Sequence, residues 1–66
     1  MKFKIRQLEA FRAVAETGSI TKAAKQLEVS QPAVSRLVAD FSNSVGFELF
    51  KRRHGILEPT SDSRYL

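Results

Sequence analysis

The apolar positions of this chain fall in three bursts of helical spacing, followed by a shorter mixed run. Ile5, Leu8, Phe11, Val14 and Ala15 recur every three or four residues, while Arg6, Glu9, Arg12 and Glu16 occupy the other side. The spacing predicts a first helix from about Lys4 to Glu16. Gly18 stops it, because glycine enters the left-handed conformation of a C-terminal cap most cheaply. Ser19 then offers a hydroxyl to the start of the next helix. Ile20, Ala23, Ala24 and Leu27 cover one face of that second helix, residues 20–27. Val29 sits in a tight turn.

Ser30 is the expected N-cap of a third helix over residues 31–45. Pro32 lies in its first turn, where a missing N–H costs nothing. Val34, Leu37, Val38 and Phe41 form its buried side, and Gly46 ends it. Ser42, Asn43 and Ser44 are poor helix formers, so fraying is expected there. Two helices joined by so short a turn cross closely, and Ala24 is the small residue at the crossing. This is the helix-turn-helix pattern, whose second helix enters the major groove of DNA.

Beyond Gly46, Phe47, Leu49 and Phe50 supply an apolar patch. Residues 51–55 then read as a short basic turn, and Ile56 and Leu57 return toward the core before Pro59 ends the segment. The expectation is a two-stranded hairpin, a wing, with its tip around Arg53, His54 and Gly55. Thr60 is the expected N-cap of a further helix, with Asp62 in its first turn, cut at Leu66. Phe3, Phe11, Phe41, Phe47 and Phe50 are assigned to the core. The fold class is mainly α: a winged helix-turn-helix with a three-helix core and a short wing over residues 1–58. Residues 59–66 are the start of a linker helix.

The totals narrow the function. Sixty-six residues make one domain, and a chain this short buries only about 60% of its unfolded surface. At 42% hydrophobic it sustains a small core rather than disorder. With no cysteine, neither a disulfide framework nor a thiolate metal site is available, which fits a reducing cytoplasm. No apolar run approaches the roughly 20 residues of a membrane span, and the N-terminus is not a signal peptide. The net charge of +4 points toward phosphate. Its placement says more: Lys51, Arg52 and Arg53 are consecutive, and Lys2, Lys4 and Arg6 cluster at the other end.

If the third helix lies in a groove, Ser30, Gln31, Pro32, Ser35 and Arg36 face the bases. Gln31 pairs bidentately with adenine and Arg36 with guanine, while Pro32 contacts a thymine methyl. Lys51, Arg52 and Arg53 are the wing candidates, for phosphate or a narrow minor groove. Thr21, Lys22 and Lys25 are candidates for phosphate contact. A plainer reading stands beside each. Ser30-Gln31-Pro32 alone is a helix start, Arg36 a solvated charge, Lys51-Arg52-Arg53 a solvated loop, and His54 an exposed bystander. The coincidence of helix pair, polar helix face and basic wing favours DNA. A protein-interaction module would show an apolar outer face on the third helix. Architectural DNA binding would show a specificity ratio near one. No catalytic constellation is visible with one histidine, no cysteine and no glycine-rich phosphate loop.

The chain resembles the N-terminal DNA-binding domain of LysR-type transcriptional regulators along nearly its whole length. The matching residues are Arg6-Gln7-Leu8, Phe11 and the run Val14 to Ser19. At the centre are Ala23-Ala24, Leu27 and the string Val29-Ser30-Gln31-Pro32-Ala33-Val34-Ser35-Arg36. Gly46, Leu49-Phe50, Arg52 and Thr60 complete the match. The resemblance implies a dimeric regulator bound to a double-stranded DNA operator, tetrameric at full length and cytoplasmic on the nucleoid. It also implies a larger C-terminal domain that takes a small-molecule effector, with no cofactor in this segment and no membrane. Carried over by residue, base contacts fall on Gln31, Pro32, Ser35 and Arg36, and the wing arginine on Arg52 or Arg53. The wing is shorter than in many members, and Pro59-Thr60-Ser61-Asp62 replaces the usual Thr-Pro-Ala-Gly start of the linker helix. The Arg52-Arg53-His54-Gly55…Pro59-Thr60 wing is similar to that of the branch controlling opine and amino-acid metabolism.

Overall fold

Serines cap the starts of the second and third helices, and glycines end the first and third. The computed structural model describes residues 4–65. Helix α1 spans Ile5–Thr17, α2 Ile20–Leu27 and α3 Gln31–Val45. Strands β1, Phe50–Arg53, and β2, Ile56–Pro59, form an antiparallel hairpin, and a 3-10 turn covers Asp62–Tyr65. The Ser19 and Ser30 hydroxyls accept from the N–H groups of Lys22 and Ala33, both at 3.2 Å. Gly18 and Gly46 cap α1 and α3 with φ of 71° and 83°. This is the mainly helical, winged arrangement expected from the sequence. Lys2 and Phe3, assigned above to a basic cluster and to the core, lie outside the described residues.

The helices meet over small side chains. Ala10, Ala13, Val14, Ala23, Ala24 and Val34 are buried together, with Ile20, Leu27, Val29, Leu37, Phe50 and Leu57 packed around them. A second cluster of Phe11, Phe41 and Leu49 joins α1 and α3 to the base of the hairpin. The Phe11 and Phe41 rings meet edge to face, centroids 5.7 Å apart at 77°, and Phe11 also tilts against Phe50 at 5.3 Å. Such pairs add about 0.5–1.5 kcal/mol beyond burial.

The buried arc of α1 differs from the expected one. Gln7, Ala10, Phe11, Ala13 and Val14 are buried, whereas Ile5 is 76% exposed. Two helices pack on α1 at once, so its inner arc centres on the alanines that let both approach. Ile5, in the first turn, lies beyond their reach. Gln7 is accommodated because its side-chain Oε1 accepts the Lys4 N–H at 3.2 Å. Ile56 likewise stays half exposed, because it alternates with Leu57 and only one of the two can face the core.

As expected, α3 ends at Val45, where the Ser42 hydroxyl donates to the Phe47 carbonyl at 2.7 Å. A further departure concerns the segment after the wing. Thr60 does not act as an N-cap acceptor. Buried, it donates its hydroxyl to the Glu48 carbonyl at 2.6 Å, and its N–H bonds Leu49 O at 2.9 Å. Glu48 lies just outside the strand ladder, and its carbonyl takes that hydroxyl as a donor in place of a ladder N–H. Ser63 in turn donates its hydroxyl to Thr60 O at 2.8 Å. The segment after Pro59 is thus stitched under the hairpin.

Phe41 is completely buried between these layers. Phe41→Ala should cost about 3–5 kcal/mol, most of the stability of a domain this small at about 0.1 kcal/mol per residue. Urea titration followed by helical circular dichroism measures it, and a loss below about 1 kcal/mol contradicts the packing described.

Candidate nucleic-acid interface

The turn between α2 and α3 takes only residues 28–30. Glu28 adopts φ 58°, and its N–H bonds Lys25 O, while the Val29 N–H bonds Ala24 O at 3.0 Å. The left-handed step reverses the chain fast enough for Ser30 to cap α3 at once. With α1 filling the space behind, α3 is left with one long exposed face bearing Gln31, Pro32, Ser35, Arg36, Ala39 and Asp40.

The wing closes with two residues. His54 and Gly55 have φ of 53° and 77°, the paired positive values of the tight hairpin turn whose twist suits antiparallel strands. The register pairs Phe50 with Pro59, Lys51 with Glu58, Arg52 with Leu57 and Arg53 with Ile56. The basic run expected in the turn is therefore strand β1, because only His54 and Gly55 are needed to reverse the chain. Paired residues share a face. Leu57 packs against the helical core, so Arg52 lies on the inner face, and Lys51 and Arg53 lie on the outer one.

This alternation separates the two arginines. Arg52 joins Thr21, Gln31 and Ser35 around a cleft of about 320 Å³ between the starts of α2 and α3 and the wing, with Gly18 and Ser19 also lining it. Arg53 instead stands 3.9 Å from Glu58 on the outer face. Arg36 is turned along α3 toward Asp40, 4.0 Å away, beside an apolar groove lined by Val29, Ala33 and Leu37. Both pairs are largely exposed and long, worth about 0–1 kcal/mol, so either arginine is readily recruited by a stronger anion. The Ser30 hydroxyl is committed as an acceptor to the α3 cap, leaving its proton free to donate. Lys22 is exposed on the first turn of α2, and Lys51, Pro32 and His54 are exposed as well. From the residues alone, Gly18 and Ser19 mark the end of one helix and the start of the next. Their place in the cleft follows from the return of β2 across the corner they form.

A polar helix face beside a basic hairpin, both on one side of an alanine-packed helical core, defines a winged helix-turn-helix domain. Residues 5–64 match the family model for bacterial regulatory helix-turn-helix proteins of the lysR family. The chain belongs to that family, and its fold is that of the family's helix-turn-helix domain. It is 47% identical over 62 residues to the octopine catabolism/uptake operon regulatory protein OccR of Rhizobium meliloti, covering 94% of this chain and 21% of that protein. The chain therefore spans about a fifth of such relatives. Among solved structures, the DNA complex of the CbnR DNA-binding domain superposes with TM-score 0.87 at 38% identity, over 96% of this chain and 72% of that one. The BenM domain bound to its benA site 1 DNA gives TM-score 0.87 at 32% identity, over 96% and 71%.

Glu28 carries a backbone conformation that costs an L-residue about 1–2 kcal/mol, and that glycine tolerates freely. Glu28→Gly should raise stability by about 0.5–1 kcal/mol in thermal unfolding, part of the relief being offset by the extra freedom of the unfolded chain. A loss of stability contradicts the turn geometry.

Proposed function

We propose that this domain reads duplex DNA sequence by laying α3 in the major groove while the wing grips the flanking backbone or minor groove. The observation that carries the reading is the cleft that gathers Thr21, Gln31, Ser35 and Arg52. Gln31 and Ser35 would meet base edges, with Pro32 against a thymine methyl and Arg36 bidentate to guanine. Thr21 and Lys22 would meet phosphate at the start of α2, whose dipole favours anions, and Ser30 would face the bases beside Gln31. Arg52, facing inward, is the arginine for the minor groove, and Lys51 and Arg53 neutralise phosphates from the outer face.

The role is regulatory, not catalytic. The expected linker helix is represented in the described residues only by the 3-10 turn Asp62–Tyr65, since Pro59 belongs to β2. A helix continuing from there would pair two copies, so that the parent binds a partly palindromic operator with half-sites about one helical turn or a multiple apart. A homodimer, or a homotetramer at full length, would act on the nucleoid in the cytoplasm. Among the described residues no helix is long and apolar enough to cross a membrane. The parent's effector is proposed to be a small molecule of the amino-acid or opine class. The Arg52-Arg53-His54-Gly55…Pro59-Thr60 string and the likeness to the octopine operon regulator support it.

Arg36→Ala should cost about 1–3 kcal/mol on the preferred site and relax specificity there. Competition binding on preferred and random duplexes checks this, and equal loss on both contradicts a base contact. Arg53→Ala should weaken binding uniformly and reduce the slope of log affinity against log salt by about one. An unchanged slope removes Arg53 from the phosphate contacts.

A further inference from the structure

Gly18 does more than end α1. Its carbonyl accepts the Leu57 N–H at 2.9 Å, so the corner between α1 and α2 is bonded directly to strand β2. At the Arg52–Leu57 pair, the Leu57 N–H turns away from Arg52 and out to that corner, as alternate pairs of an antiparallel ladder do. The direction in which an L side chain would leave Gly18 is also occupied. A Cβ there would stand 2.5 Å from Ile56 Cγ2, and φ is +71°. Contrast Gly46 and Gly55, which also have positive φ but whose Cβ positions have nothing within 4 Å.

The base of the hairpin is held separately, by Phe50 in the core and by Thr60 bonded to Glu48 and Leu49. At the level of Arg52, the tie to the helices passes through Leu57 and Gly18. We propose that Gly18 is a positioning residue for DNA binding: its bare α-carbon and its carbonyl dock β2 and so set Arg52 at the distance from Gln31 and Ser35 that one DNA segment requires. The proposal rests on the DNA-reading assignment of α3 and the wing. A side chain at position 18 meets the Ile56 methyl and sits at an unfavourable φ of +71°, which loosens the corner that docks β2 and with it the placement of Arg52 against α3, while α3 keeps its own bed on the alanines.

The test is a double-mutant cycle between Gly18→Ala and Arg52→Ala, with affinity for a duplex selected by the 66-residue chain measured at low salt. In the parent, Arg52→Ala should lower affinity about tenfold. In the Gly18→Ala background the same change should cost less than about threefold, because Arg52 has already lost its contact. Adding Ile56→Ala, which removes the colliding methyl, should restore part of the Arg52 effect. Amide exchange without DNA gives an independent readout: Gly18→Ala should accelerate exchange at Leu57 while α3 amides stay protected. An undiminished Arg52 effect, or acceleration spread evenly over α3, overturns the proposal. If Gly18→Ala does not fold, a chemically assembled chain with an ester in place of the Leu57 amide enters the same cycle and is read the same way. Failure of the parent chain to bind any duplex refutes the DNA-reading assignment, and the positioning role with it. The exchange experiment then reports only whether Gly18 docks the wing.

Discussion

Everything in this domain depends on three helices approaching closely enough to share one small core. Ala10 and Ala13 on α1 and Ala23 and Ala24 on α2 are buried, and Val14 and Val34 complete the contact. Larger residues there would separate the axes, since interiors at crystal-like packing density have no slack for added methylenes. The close approach has a functional consequence. With its inner side set on alanines, α3 keeps a continuous exposed polar face from Gln31 to Asp40, and its N-terminus stands beside that of α2. A looser, larger core would bury part of that face.

The wing is a second body whose usefulness depends on its placement against the first. Four residues per strand cannot form a stable hairpin alone. It is stable here because Phe50 and Leu57 enter the helical core, Thr60 fastens its base and Gly18 receives β2. Strand alternation then gives the adjacent arginines different tasks. Arg52 turns toward α3 and Arg53 toward Glu58. The basic run is thus two contacts in two directions, not one charged loop.

Much of this was legible in the residues. Helix positions followed from spacing, and their ends from Ser19, Ser30, Gly18 and Gly46, because caps act within a few residues. The polar face of α3 was legible from the same spacing, and the wing's tip from Arg53, His54 and Gly55, one residue wider than the turn that forms. What could not be read depends on contacts distant in sequence. Ile5 fits the apolar period of α1 but stands exposed at its first turn. Gln7 is polar but buried, since one hydrogen bond satisfies its carbonyl oxygen. Thr60 has a good N-cap side chain, yet a carbonyl twelve residues earlier claims its proton. Glu28 gave no turn signal, because the left-handed step falls on a residue that ordinarily avoids it. The separation of Arg52 from Arg53 needed the strand register, which depends on where a two-residue turn closes.

The central claim is that α3 and the wing act on one DNA segment, α3 supplying sequence preference and the wing supplying charge. Binding of the chain to a randomised duplex library at two salt concentrations, with sequencing of the bound fraction, tests it most directly. The account predicts enrichment of a short half-site together with affinity that falls steeply as salt rises. Salt-sensitive binding with no enriched sequence, also in a chain extended through a linker helix, would contradict it.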